Sequence, residues 1–153
     1  MRDHTLKQFD ADMEVIRTAV LNMGGLVEQQ LLRAINTLKS GDAEAAQDVL
    51  ADEGRINALQ VEIDQLCSQI ISKRQPAAID LRMIMTFIKT INDLERIGDE
   101  AKKVATKSQQ IHDSKRITAA QLHELTWVSE TARQMVQKGL DALARLDLKA
   151  AAE

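Results

Sequence analysis

The chain predicts an all-α fold of long antiparallel helices, and three observations carry the prediction. Aromatic residues are 2% of the sequence and proline occurs once, while 44% of residues are apolar, so the core has to be Leu, Ile, Val, Met and Ala on helices. Apolar residues recur at alternating three- and four-residue steps over long stretches instead of alternating strictly, as they would in a half-buried strand. Helix-breaking signals are confined to Ser40-Gly41-Asp42, Lys73-Arg74-Gln75-Pro76 and the stretch from Asp113 to Thr118.

The first helix is expected to begin around Thr5 to Gln8 and to run to about Lys39. Its inward stripe is Met13, Ile16, Val20, Met23 or Gly24, Val27, Leu31, Ala34 and Leu38, a near-heptad spacing that favours shallow crossing angles. Gly24-Gly25 costs roughly 1 kcal/mol of helix propensity per glycine relative to alanine. The pair reads either as a place where a neighbouring helix comes close or the helix bends, or as space cleared beside carboxylates of the third helix.

Gly41 is suited to end that helix in the left-handed region, and Asp42 to cap the next. A turn this short makes the first two helices antiparallel neighbours. The second helix is expected from Ala43 to about Lys73, with Ala46, Val49, Ile56, Ile63, Cys67 and Ile70 inward. Glu53, Gln60 and Asp64 lie along one shoulder; Glu53 and Gln60 read as a solvated flank. Pro76 fits the first turn of a third helix, which ends before Asp113-Ser114 with His112 placed favourably for the dipole. Thr118 with Gln121 has the form of a capping box, with a staple from Ile117 to Leu122, so a fourth helix starts near Ala119. Its stripe reads Leu122, Leu125, Val128 or Ser129, Ala132, Met135 or Val136, Gly139, Leu143 and Leu146; it ends near Asp147, and the Ala-rich tail frays.

A net charge of −3 without a long basic run gives no footprint for nucleic acid. Cys67 is single and sits on an apolar face, so it reads as a buried core thiol, and no disulfide framework exists. There is no apolar run of the ~18–20 residues that a spanning helix needs, which argues against direct membrane insertion. Met1-Arg2-Asp3-His4-Thr5 lacks the apolar core of a signal peptide, so the expected location is the cytoplasm.

The third helix carries the candidate site. Ile84, Phe87, Ile91, Leu94, Gly98, Ala101, Ala105 and Ser108 form its inward stripe. Glu95 lies on the shoulder of that stripe, and Asp99 stands one turn above it on the same side, with Asn92 and Lys102 as neighbours. Two carboxylates so spaced suit a hard or borderline cation, the remaining ligands coming from other helices; they equally suit a solvated face paired to lysines. Asp64 on the second helix is the third candidate ligand. Oxygen-only donors leave Mg, Mn, Fe and Ca open.

The wording of two segments adds to this. Gln75-Pro76-Ala77-Ala78-Ile79-Asp80-Leu81-Arg82 followed by Asp93-Leu94-Glu95-Arg96-Ile97-Gly98-Asp99 resembles the PhoU family of bacterial phosphate-uptake regulators, whose signature joins a Q-P-x-x-x-D-L-R helix start to an E-R-I-G-D repeat. The resemblance implies two similar three-helix bundles. On that reading residues 1–113 are the first bundle and 114–153 the first helix of a truncated second one. Leu32 to Leu38 and Leu140 to Leu146 share a Leu-x-Ala-apolar-x-x-Leu frame, an echo consistent with duplication.

The resemblance also implies a non-enzymatic negative regulator of the phosphate-starvation response. Its partners would be the ATPase subunit of a phosphate ABC transporter and a sensor histidine kinase, and Glu95 and Asp99 would bind divalent or iron ions. Arg96 would orient a neighbouring carboxylate, and Asp80 and Arg82 would supply a cap and an ion pair. No glycine-rich loop or arginine cluster marks a phosphate site. A carboxylate-bridged di-metal oxidase needs Glu-x-x-His, and His4, His112 and His123 have no glutamate three residues before them. The alternative is a metal-free helical scaffold. Helix four's stripe, without a second bundle, would leave some six large side chains exposed, forgoing on the order of 10 kcal/mol. It is therefore expected to pack back onto the first three helices or, in preference, into another chain as a homodimer or higher oligomer.

Overall fold

The computed structural model describes residues 2–145, with side-chain surroundings over 7–145. Four helices make up the described residues: α1 (Arg2–Ser40), α2 (Ala43–Arg74), α3 (Ala78–Ser114) and α4 (Ala119–Arg145). The fold is all-α. α1, α2 and α3 pack pairwise into a three-helix bundle, while α4 packs against α1 and, among the described residues, meets neither α2 nor α3. No described helix is long and apolar enough to cross a membrane.

The turns follow from their residues. Gly41 takes a φ of 70° and its N–H donates to the Thr37 carbonyl at 2.8 Å, while Asp42 Oδ1 accepts from the N–H groups of Glu44 and Ala45 at 2.9 and 3.4 Å. Pro76 does not open α3 as expected. Gln75, in the left-handed region at φ 45°, is the C-cap of α2, Pro76 follows it directly, and Ala77 is the N-cap of α3 without a side-chain bond. A proline after a C-cap blocks continuation of the helix before it, which is the role it has here. Asp80 sits in the first turn of α3, where its charge complements the dipole but makes no cap. Thr118 and Gln121 form the capping box, with Gln121 N–H to Thr118 Oγ1 at 3.2 Å and Thr118 N–H to Gln121 Oε1 at 3.0 Å. The expected end of α4 at Asp147, Leu146 and the tail lie outside the described residues.

The buried faces of α2 and α3 are the expected ones, with Asp52 added on α2. The core falls into two clusters. One is built from large side chains, including Ile16, Met23, Ile56, Ile63, Phe87 and Ile91; the other from Ala34, Ala46, Val49, Ala101 and Ala105, which let the three helices approach closely. His112 is more than a dipole partner: its Nε2 lies 2.8 Å from the Leu38 carbonyl, tying the end of α3 to the end of α1.

α4 presents a different face from the one its apolar stripe suggests. It meets α1 through Leu140, through Arg133, which donates to Glu28 at 3.3 Å and to Glu130 at 2.6 Å, and through the Ala144 carbonyl, which accepts from Arg17. A Cβ on Gly24 would stand 2.4 Å from Leu140 Cδ2. The glycine therefore admits α4, and the idea that it clears space for the carboxylates of α3 does not hold. Leu125, Val128 and Met135 are left exposed. Polar anchoring at both ends fixes the rotation of α4, and the apolar stripe turns away from α1.

Candidate functional site

The acidic stretch of α3 is held at the level where the two core clusters meet. Leu94, Gly98 and Ala101 face inward, which leaves Glu95 and Asp99 partly buried on the shoulder and Asp93, Arg96 and Glu100 in solvent. Each charge has a partner of its own. Asp99 Oδ2 lies 3.0 Å from Lys103 Nζ, which also lies 2.9 Å from Glu100 Oε1. Lys102 Nζ reaches across to α2 and lies 2.8 Å from Glu53 Oε2, so Glu53 is not a free solvated flank. Gln60 likewise bridges helices, donating to Asn92 Oδ1 at 2.9 Å. The bond to Glu53 raises the pKa of Lys102, and bonds to Glu100 and then Asp99 raise that of Lys103. Both ammonium groups stay charged throughout the neutral range.

Arg96 does not orient Glu95 or Asp99. It stands 4.0 Å from Asp93, both exposed, because a residue one position after Glu95 points about 100° further round the helix. Asp64 is exposed on α2. Its charge adds to burial in raising the Cys67 thiol to about 11, burial being the larger cause. Among the described residues no three His, Cys, Asp or Glu side chains gather as a metal would require. Glu95 and Asp99 offer two hard oxygen donors one turn apart, which fit part of the shell of a hard cation and not a closed site. An ion there would compete with Lys103 for Asp99.

Two buried polar residues stood outside the expected set. Gln30 on α1 is fully buried; its Nε2 donates to the Val49 carbonyl at 3.1 Å, and its Oε1 has no hydrogen-bond partner. Gly98 makes room for that oxygen, which a Cβ would approach to 2.8 Å. Asp52 is buried and accepts from Arg33, with Arg55 at 3.9 Å. The signal was present in the spacing: Gln30 lies three residues after Val27 and four before Ala34, and Asp52 three after Val49 and four before Ile56, both at inward steps of their stripes.

Three mutually packed long helices, a fourth laid on the first, and an acidic signature on α3 whose charges are partnered by lysines define a helical bundle of the PhoU type. The PhoU domain matches residues 20–108, and the chain belongs to the PhoU family. It is 43% identical to the phosphate-specific transport system accessory protein PhoU of Edwardsiella tarda over 99% of its own length and 61% of that protein's. The corresponding protein of Escherichia coli K12 is 41% identical over 97% of this chain and 61% of its own length. The crystal structure of PhoU from Pseudomonas aeruginosa superposes with a TM-score of 0.89 at 41% identity, over 94% of this chain and 68% of the other. The chain thus spans about three fifths of the length of these curated relatives.

Proposed function

We propose that this chain is a cytoplasmic, non-enzymatic negative regulator of phosphate uptake and the phosphate-starvation response. It joins the ATPase subunit of a phosphate ABC transporter to a phosphate-sensing histidine kinase, and it self-associates as a homodimer or higher oligomer. The observation that carries the reading is its identity of about 40%, along nearly its whole length, to proteins named as accessories of phosphate-specific transport. Residues 1–113 act as the first bundle and 114–153 as the first helix of a second, in keeping with α4 touching α1 alone among the described residues.

The test is complementation. Expressed in a bacterium whose own PhoU gene is deleted, the chain restores repression of a phosphate-starvation reporter in phosphate-rich medium and co-purifies with the transporter ATPase. Constitutive reporter activity despite normal expression would overturn the reading.

Glu95 and Asp99, with Asp64 as a less favoured third, are the ligands this reading assigns to a divalent or iron ion (Mg, Mn or Fe), the rest of the shell being water. When bound, the ion would neutralise the two carboxylates; Lys103 does so for Asp99 without it. The metal-free scaffold is a second reading, favoured by the Asp99–Lys103 pair. Metal content of the purified chain separates them: stoichiometric metal that Glu95→Ala and Asp99→Ala each abolish supports the ion, and a metal-free parent with unchanged repression supports the scaffold.

A further inference from the structure

The apolar face that α4 turns away from α1 has a definite pattern. Leu125, Val128, Ala132, Met135 and Gly139 follow at steps of three, four, three and four, the spacing of the a and d positions of a heptad. Val128 is 58% and Met135 69% exposed. The C-terminal half of this face borders a groove of about 970 Å³ whose opposite wall is α3, with Met83 and Ile97 on it. A face of this length and regularity marks an interaction surface.

Its sequence is self-complementary in one orientation. The stripe is symmetric about Ala132: Leu125 and Gly139 lie seven residues to either side, and Val128 and Met135 lie four before and three after. The small residues at Ala132 and Gly139 let two helix backbones come close. Glu124, Thr131 and Lys138 run along one flank of the stripe, one heptad apart. In an antiparallel pair a flanking heptad position meets the same position of the other helix with the order reversed. Glu124 of one copy then meets Lys138 of the second copy, twice over, and Thr131 meets its own counterpart. A parallel pair would set Glu124 against Glu124 and Lys138 against Lys138. Charge order therefore selects the antiparallel pair, and a twofold interface needs a surface that complements itself.

We propose that the occupant of this face is a second copy of the chain, α4 lying antiparallel on α4 with the twofold axis at Ala132. The proposal names the surface for the self-association put forward above and rests on it.

Sedimentation of the full chain over a concentration series tests it, with circular dichroism confirming unchanged helix content in each variant. The parent is expected to dimerise and Met135→Glu, a change at an exposed site, to be monomeric. Glu124→Lys and Lys138→Glu each turn two attractive pairs repulsive and weaken association about tenfold. The double variant Glu124→Lys, Lys138→Glu restores it. A parent that is monomeric at every concentration overturns both this surface and self-association, and leaves the transporter reading standing. An assembly indifferent to Met135→Glu and to the charge exchanges keeps self-association and overturns the α4 surface.

Discussion

A Cβ on Gly98 of α3 would stand 2.8 Å from Oε1 of Gln30 on α1, an unpartnered oxygen in a fully buried side chain. The glycine of the Glu-Arg-Ile-Gly-Asp segment is thus the place where the backbone of α3 yields space to an amide. That amide, bonded to the Val49 carbonyl, lies where the large-residue cluster gives way to the alanine-rich one. A buried amide with one half unsatisfied weakens a core, yet it penalises sliding of α1 along α3, since any other register buries it against aliphatic carbon.

Gly98→Ala tests this pairing. Alanine gains about 1 kcal/mol of helix propensity, but forcing Gln30 aside in a filled core costs roughly 1–3 kcal/mol. In the parent the change is therefore expected to be destabilising. With Gln30→Ala the obstruction is gone, and Gly98→Ala becomes stabilising by up to about 1 kcal/mol. Urea unfolding of the four proteins gives the coupling; equal effects in the two backgrounds would exclude it.

Gly24 and Leu140 are the corresponding pair between α1 and α4. Gly24→Ala drives its Cβ into the end of Leu140, and α4 is the element free to move. Tryptic cleavage at Lys138 and Arg145 is expected to accelerate about fivefold, the equivalent of about 1 kcal/mol of local stability, while α1 to α3 stay resistant. Leu140→Ala in the same chain should remove the sensitivity that Gly24→Ala introduces.

Cys67 reports opening of the bundle. Burial and the charge of Asp64 raise its thiol from 9.0 to about 11, so iodoacetamide at pH 8 is expected to leave it unlabelled in the folded chain and to label it once urea unfolds the bundle. A raised thiol pKa favours the folded state fully below 9.0, and the contribution is lost as pH rises through 11, so urea midpoints fall across that window. Rapid labelling of the native protein would show that α2 does not shield this face.

Glu130 gives α4 a dependence on acid. Its hydrogen bond from Arg133 holds its carboxyl below 4.5, and Arg133 also reaches Glu28 on α1. A depressed carboxyl pKa contributes stability above 4.5 that is lost as pH falls through the folded value. Amide exchange along α4, corrected for its intrinsic pH dependence, is therefore expected to quicken below pH 4.5 before exchange in α1 to α3 does. Glu130→Gln should abolish that separate acid step; if the step persists, Glu28 or the Arg17 contact controls it instead.

Much of the bundle was legible because burial in long helices is periodic. The stripes of α2 and α3 and the turn at Gly41-Asp42 follow from spacing and from cap chemistry, both local. Gln30 and Asp52 were passed over although they sit at inward steps, because a polar residue on a stripe shows its purpose only when the opposing residue is known. Gln30 needs Gly98, and Asp52 needs Arg33. Glu95 and Asp99 were placed correctly on the shoulder of α3, but Lys103 and Lys102 stand equally near in sequence, and spacing does not assign the partners.

The sequence by itself determined that the chain is helical, where its helices turn, which faces of α2 and α3 are buried, and that its two signature segments belong to the PhoU family. Only the tertiary structure decided which face α4 presents, what Gly24 and Gly98 make room for, and which ions pair. Helix periodicity is a property of one segment and can be read from it. The rotation of α4 is set by Arg133, Glu28, Arg17 and the Ala144 carbonyl, groups far apart in the chain whose polar bonds outweigh the pull of its own apolar stripe.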